Sequence, residues 1–191
     1  PLWSRGLGDV YKRQLYALAV EQARQPDFYT HLGVADRIDA RFELYTLHVL
    51  LLFVRLKQEG ERGADLAQKL FDAYVSSLDN VLRELGVGDV SVGKKMRKLG
   101  EALYGRMSAY EKALRAGDRD GLQASIARNV FESEDAAVGE ALTRYAVESH
   151  DRLTRQSSAA VEKAPDWGLG DDRRMTIPAI PYSDPCLLYT S

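Results

Sequence analysis

Apolar residues recur every three or four positions through most of this chain, the spacing of helices that bury one face. The clearest stripe is Met96, Leu99, Leu103, Met107, Tyr110 and Leu114, an a/d-type seam that faces a partner helix. Leu66, Leu70, Tyr74, Leu78, Val81 and Leu85 form a second stripe. The run from Leu44 to Leu56 is apolar almost throughout, broken only by Thr46, His48 and Arg55. It is far shorter than the roughly 20 apolar residues of a membrane span, so it reads as a buried core helix.

Punctuation between the stripes sets the element boundaries. Helices are expected over Leu15–Gln25, Ile38–Glu59, Asp65–Leu85, Val92–Arg115, Gly121–Phe131 and Ala136–Thr154. Pro26 stops the first, and Asp27–Gly33 is turn-rich with two aromatics. Gly60 and Gly86 suit left-handed C-caps, and Ser91 suits an N-cap. Periodicity fades from Gln156, and Ala164–Pro185 reads as a mobile tail. No strand and no internal repeat emerges. Short loops imply mostly antiparallel neighbours. The expected fold is all-α: a single-domain, irregular helical bundle of about six helices.

The two ends carry a different signal. Asp9-Val10-Tyr11-Lys12-Arg13-Gln14 back-translates to GAT GTG TAT AAG AGA CAG. The reverse complement, read out of frame, encodes Cys-Leu-Leu-Tyr-Thr-Ser, which is Cys186 to Ser191. Both ends thus read as opposite strands of one transposon-type sequencing adapter, a segment to set aside before fold reasoning. Residues 1–14 and 186–191 are therefore expected to be adapter translation. Residues 15–160 are the expected helical domain and 161–185 a flexible tail.

Composition narrows the chemistry. The chain has 26 basic and 28 acidic residues. Setting aside Arg5, Lys12, Arg13 and Asp9 leaves 23 against 27, a net charge of −4. That balance argues against general DNA or RNA binding. The only cysteine, Cys186, lies in the suspect end, so neither a disulfide framework nor a cysteine metal site is expected. His31, His48 and His150 form no ligand pair at helical spacing, and HExxH, GxSxG and phosphate-loop patterns are absent. No cofactor, no metal and no enzymatic activity are expected.

Some residues suggest contacts instead. His48 shares a helix face with Tyr45 and Leu52. It reads either as a polar contact to a partner or as a hydrogen-bonded core histidine. Lys94, Lys95, Arg97 and Lys98 cluster near the start of a helix, where cations oppose the dipole by about 0.3–1 kcal/mol each. Arg106 lies three turns beyond Lys95 and projects from the same side. This basic side fits an acidic partner, an anionic membrane surface or ribosomal RNA. It equally fits a solvated face flanking the core. Gly88-Asp89 reads as a turn with an acid favouring the next helix. Gly105, within Tyr104-Gly105-Arg106, costs a helix about 1 kcal/mol. A close helix crossing, or a partner's backbone, accounts for it.

Taken together, these residues resemble a known family. Arg41-Phe42-Glu43-Leu44 with Leu47-His48 is similar to the "RFDL…LH" start of the ubiquinol–cytochrome c chaperone domain. Leu85-Gly86-Val87-Gly88-Asp89 with Lys94-Lys95 resembles its "GVGD…KK" signature, and Leu103-Tyr104-Gly105-Arg106 its "FYGR" motif. Gln22-Ala23-Arg24 and Phe28-Tyr29 fit its N-terminal part. The motifs run in order across Leu15 to Asn129. Ala40 replaces a usual glycine, Glu43 an Asp, and Leu103 a Phe.

The resemblance implies a non-enzymatic assembly chaperone that binds newly made cytochrome b on its way into ubiquinol–cytochrome c reductase. The same resemblance implies work near the ribosome and the inner membrane. A bacterial member would be cytoplasmic and peripheral to that membrane; a eukaryotic one would sit in the mitochondrial matrix at the inner membrane. It makes Asp89, Lys94, Lys95, Lys98, Tyr104, Gly105 and Arg106 the leading partner-binding candidates, with Arg41 and His48 second. Two other classes compete. A helical protein or enzyme for a prenyl or quinone-like molecule needs a dry pocket with convergent polar groups. A ribosome or RNA adaptor needs strongly salt-dependent binding.

Overall fold

The computed structural model describes residues 2–84 and 89–169, with side chains for 13–78 and 100–169. Its helices are α1 (Leu2–Ala23), α2 (Asp27–Thr30), α3 (Ile38–Leu56), α4 (Gly60–Glu84), α5 (Asp89–Ala116), α6 (Arg119–Val130), α7 (Glu140–Arg155) and α8 (Ser158–Lys163). Single 3-10 turns at Lys57–Glu59 and Ala136–Gly139 lead into α4 and α7. The six long helices are those the periodicity calls for, and the protein is an all-α bundle.

α3 is its axis. It packs against α1, α4, α5, α6 and α7, so from Leu44 onward little of it is left for water. Leu44, Leu47, Leu50, Leu51 and Leu52 are fully buried for that reason. A helix surrounded on all sides must be apolar all round, which explains why this run has no amphipathic period. Neighbouring helices are striped instead. Leu70, Tyr74 and Leu78 of α4 and Leu103, Met107 and Tyr110 of α5 bury the predicted seams. Met96 and Leu99 lie outside the described side chains.

Boundaries differ from expectation where backbone chemistry intervenes. Gly60 does adopt a positive φ of 69°, but its ψ of −147° is an extended, mirror-image conformation rather than the left-handed helical cap expected. That region is open essentially to glycine alone. α5 starts at Asp89, so Ser91 lies inside the first turn and does not cap it. An acid at the start favours the positive end of the helix. Asp118 caps α6 by accepting from the Gly121 amide at 2.9 Å.

The chain beyond α7 also departs from expectation. Ser157 caps α8 through the Ala160 amide, and Val161 is fully buried. The stretch after α8 then returns to α7. Ser149 Oγ donates to the Trp167 carbonyl at 2.7 Å. The Gln156 side chain accepts from the Asp166 amide at 3.0 Å and donates to its carbonyl at 3.1 Å. Trp167 is only 7% exposed. The packed body therefore reaches Trp167 rather than ending near 160; the rest of the expected tail lies outside the described residues.

Candidate partner-binding surface

Polar groups brought into the core of this bundle are few, and each has a structural reason. His48 is fully buried. Its Nδ1 donates to the Leu44 carbonyl at 2.7 Å, which fixes the tautomer and leaves Nε2 to accept from the Tyr145 hydroxyl at 2.8 Å. Tyr145 accepts in turn from Gln22 Nε2 at 3.2 Å. The rings of Phe28 and Trp167 stand edge-on to the imidazole, both with centroids at 5.2 Å. Burial holds its pKa down at about 4. His48 is thus a neutral core histidine, and in this conformation no partner can reach it.

Arg106 and Glu43 join α5 to α3. Arg106 Nη1 donates to Glu43 Oε1. The other oxygen, Oε2, is buried with no partner among the described residues. Burial drives the Glu43 carboxyl up to about 7, against the opposing pull of Arg106. The Arg106 side chain is about one-third exposed. The expected basic side is altered here: Arg106 is turned to Glu43 and is not a free surface cation.

Tyr104 and Gly105 face outward from the same turn. Tyr104 is 71% exposed, unusual for so large a ring. A Cβ placed on Gly105 would meet nothing within 4 Å among the described residues. Of the two readings of this glycine, a close helix crossing finds no neighbour among the described residues. Beside Tyr104 runs a groove of about 190 Å3 between α3, α4 and α5. Phe53, Phe71 and Met107 supply its apolar lining. Lys57 lies at its rim, with Nζ 3.0 Å from Glu111 Oε1 and 5.1 Å from the Phe53 ring centroid.

The remaining candidates divide in two. Arg41 lies at the far end of α3, where it pairs with Asp36 at 2.5 Å and covers the Tyr29 ring. Asp89, Lys94, Lys95 and Lys98 are on the helical backbone of α5, but their side chains lie outside the described residues. The groove aromatics were not singled out from sequence. One signal was available: Phe71 is apolar yet stands off the Leu66, Leu70, Tyr74 stripe. Among the described residues no cluster of His, Cys, Asp or Glu is arranged to hold a metal ion. No described helix is long and apolar enough to cross a membrane.

Known proteins bear on this surface. Residues 30–165 match the family model of the ubiquinol-cytochrome C chaperone, a span that starts later and runs further than the sequence motifs. A crystal structure of the Cbp3 homolog from Brucella abortus superposes with a TM-score of 0.74 at 34% identity, covering 85% of this chain and 92% of that one. Ubiquinol-cytochrome-c reductase complex assembly factor 1 of Xenopus laevis is 25% identical over 121 residues, 63% of this chain and 60% of the relative. The Mus musculus counterpart is 25% identical over 134 residues, 69% of this chain and 45% of the relative. The chain thus spans only about half of the length of these vertebrate relatives. With the family match and the bacterial structure agreeing over most of its length, the chain belongs to the ubiquinol–cytochrome c chaperone family.

Proposed function

We propose that this protein is a non-enzymatic assembly chaperone for ubiquinol–cytochrome c reductase and that it holds newly made cytochrome b. The observation that carries the reading is the outward-facing Tyr104-Gly105 pair beside an apolar groove. A client segment laid along α5 would bring its backbone against Gly105 and an apolar side chain against Phe53 and Phe71. Exposed tyrosines supply large contact area at small entropic cost, which suits a holding surface. The Lys94, Lys95 and Lys98 side of α5 would orient the complex near anionic lipid or the ribosome. The greater identity to the Brucella protein than to the vertebrate ones, 34% against 25%, supports a bacterial setting at the cytoplasmic face of the inner membrane.

The test is affinity capture of the chain from cells making its cognate cytochrome b. Tyr104→Ala is compared with a Lys94→Glu, Lys95→Glu pair. Arg106 is left alone, because reversing its charge would strand the buried Glu43. Capture of cytochrome b, lost in Tyr104→Ala with helicity unchanged, is the expected result. Capture undiminished by either variant keeps the chaperone but moves the contact elsewhere. No capture by the folded wild-type chain removes the reading.

A further inference from the structure

The groove beside Tyr104 does not end at Met107. It opens along α5 into a shallow hollow lined by Ser108, Glu111, Lys112, Arg115 and Ala116, and the two concavities share Ser108 and Glu111. On this outer side of α5, Tyr104, Ser108, Glu111 and Arg115 recur by four, three and four. That is the spacing of a seam that receives another helix. It runs beside the inward seam of Leu103, Met107, Tyr110 and Leu114. The inward seam is filled by the bundle, whereas the outer one is open to solvent at Tyr104, Ser108 and Arg115.

The two ends of the outer seam differ in chemistry. At one end the rings of Phe53, Phe71 and Tyr104 and the thioether of Met107 line about 190 Å3. Three rings and a sulfur favour an aromatic guest, which packs well against both. At the other end three cations stand around one acid. Lys57 Nζ lies 3.0 Å from Glu111 Oε1, and Arg115 Nε and Nη2 reach the same oxygen at 3.0 and 2.9 Å. The Glu111 side chain is only 18% exposed, against 36% for Lys57 and 54% for Arg115. Lys112 is exposed and has no hydrogen bond or ion pair among the described residues. What the hollow shows to solvent is therefore positive, with Lys112 uncommitted. Acids lie elsewhere: Glu101 is exposed one turn before Tyr104, and Asp72 on α4 accepts from Gln68 at 2.9 Å.

We infer that the outer seam of α5 docks an amphipathic helix of the client, with an aromatic side chain between Phe53, Phe71 and Tyr104 and a carboxylate against Lys112. The inference rests on α5 being the client-holding surface and names what the client presents there. Lys112 lies two turns beyond Tyr104, about 12 Å along the axis. A helix laid alongside at a shallow crossing of about 20° matches that separation with residues seven apart on one face. Apolar anchors set into a groove are the usual way in which a helix is held. Lys57 and Arg115 stay on Glu111 and contribute field rather than new hydrogen bonds. Glu101 beyond the aromatic end and the cations at the other give the seam a direction, so only one orientation of the guest places its acid well.

The experiment uses the full chain and the fluorescence anisotropy of labelled alanine–glutamine peptides of about 20 residues, long enough to form a helix. One peptide carries Phe with Glu seven positions later, and a second carries the pair in reverse order. Two more replace the Phe by Ala or the Glu by Lys. Tyr104→Ala, Lys112→Glu and a control, Lys163→Glu, are compared at equal helicity; Lys163 is exposed on α8 and lines neither concavity. One order of the Phe/Glu pair is expected to bind, and to weaken about tenfold in Tyr104→Ala or when its Phe is Ala. Binding should weaken roughly threefold or more in Lys112→Glu, stay unchanged in Lys163→Glu, and recover in Lys112→Glu when the peptide carries Lys for Glu. No binding in either order, equal binding without the Phe, or no recovery on exchanging the charges overturns the inference. Capture of cytochrome b alongside that failure leaves the client-holding reading in place. Peptide binding without capture supports the docking seam and removes the client reading.

Discussion

Glu43 and Arg106 form an ion pair across the α3–α5 contact in which, among the described residues, only one of the two carboxylate oxygens is satisfied. A charge buried with one unmatched oxygen is costly, and breaking such a pair from one side costs more than replacing it with a neutral group. The raised pKa of Glu43, about 7, expresses that cost.

The pair makes stability depend on pH in a direction opposite to the buried histidine. Glu43 titrates near 7 in the fold, above the ordinary carboxyl value. The fold therefore holds that proton more tightly than the unfolded chain, and stability is lost as pH rises from about 4.5 to about 7. His48 titrates near 4 in the fold, below its ordinary value. Its contribution is present above about 6.5 and is lost as pH falls towards 4. The two slopes overlap and oppose each other, so wild-type stability should vary little between pH 5 and pH 6. Glu43→Gln should remove one slope and expose the other. Unfolding free energies from urea titration of this variant should rise from pH 4.5 to pH 6.5, by an amount on the order of 1–3 kcal/mol. At pH 8 the variant should be at least as stable as wild type. A variant whose pH profile parallels wild type would remove Glu43 as the source.

Arg55 should be a major single anchor of the C-terminal half. Its Nε donates to the Leu153 carbonyl at 2.8 Å and its Nη2 to the Gln156 carbonyl at 2.7 Å. Nη1 pairs with Glu59 at 2.6 Å. These are carbonyls at the end of α7, where helical partners run out and a cation meets the negative pole. Arg55→Ala removes both bonds and leaves the Leu153 carbonyl with the Gln156 amide alone at 3.2 Å; each bond to a charged donor contributes about 1.5–3 kcal/mol. Chemical denaturation should show a loss of about 3 kcal/mol or more. Arg55→Lys, with no fork to span two carbonyls, should recover less than half of it. A loss below about 1 kcal/mol would show that water replaces the guanidinium.

The helices were legible because burial imposes a period on the sequence. The α4 and α5 seams are visible at Leu70, Tyr74, Leu103 and Met107, and the central helix is visible as an uninterrupted apolar run. Residues whose role depends on a distant partner were not. Arg55 reads as an interruption of a core helix until α7 ends beside it, about a hundred residues later. The two readings of His48 are separated only by Tyr145 and Trp167, which no local pattern joins to it. Family resemblance singled out Tyr104, Gly105 and Arg106 together, yet geometry divides them: two face water and the third turns inward to Glu43.

Gly105 separates stability from function. It sits in the middle of α5 with open space where a side chain would be. Gly105→Ala should therefore stabilise the free protein by about 0.5–1 kcal/mol, the ordinary helix-propensity gain. If a client backbone approaches this turn, the added methyl should reduce capture of cytochrome b while the melting temperature rises. Lower stability in Gly105→Ala would point to a neighbour that fills the space, and would contradict the open surface.

Trp167 tests whether the final segment belongs to the domain. Its ring stands edge-on to the imidazole of His48, and its carbonyl receives the Ser149 hydroxyl. Arg152 pairs with Asp166 at 3.2 Å, and Gln156 clasps the Asp166 backbone from both sides. Removing the indole would open the histidine pocket to water and leave a large void. Trp167→Ala should cost about 3–5 kcal/mol, as for other large core truncations. It should also let the His48 pKa return towards 6.5, because burial is what holds it down. An NMR titration of the imidazole reads this directly. Stopping the chain after Lys163 should reproduce both effects, since the same indole is lost. If truncation leaves stability and the His48 titration untouched, the domain ends at α8 and the contact is incidental. If both shift together, residues 164–167 complete the core, and a docking event on them would be felt at His48 and Tyr145.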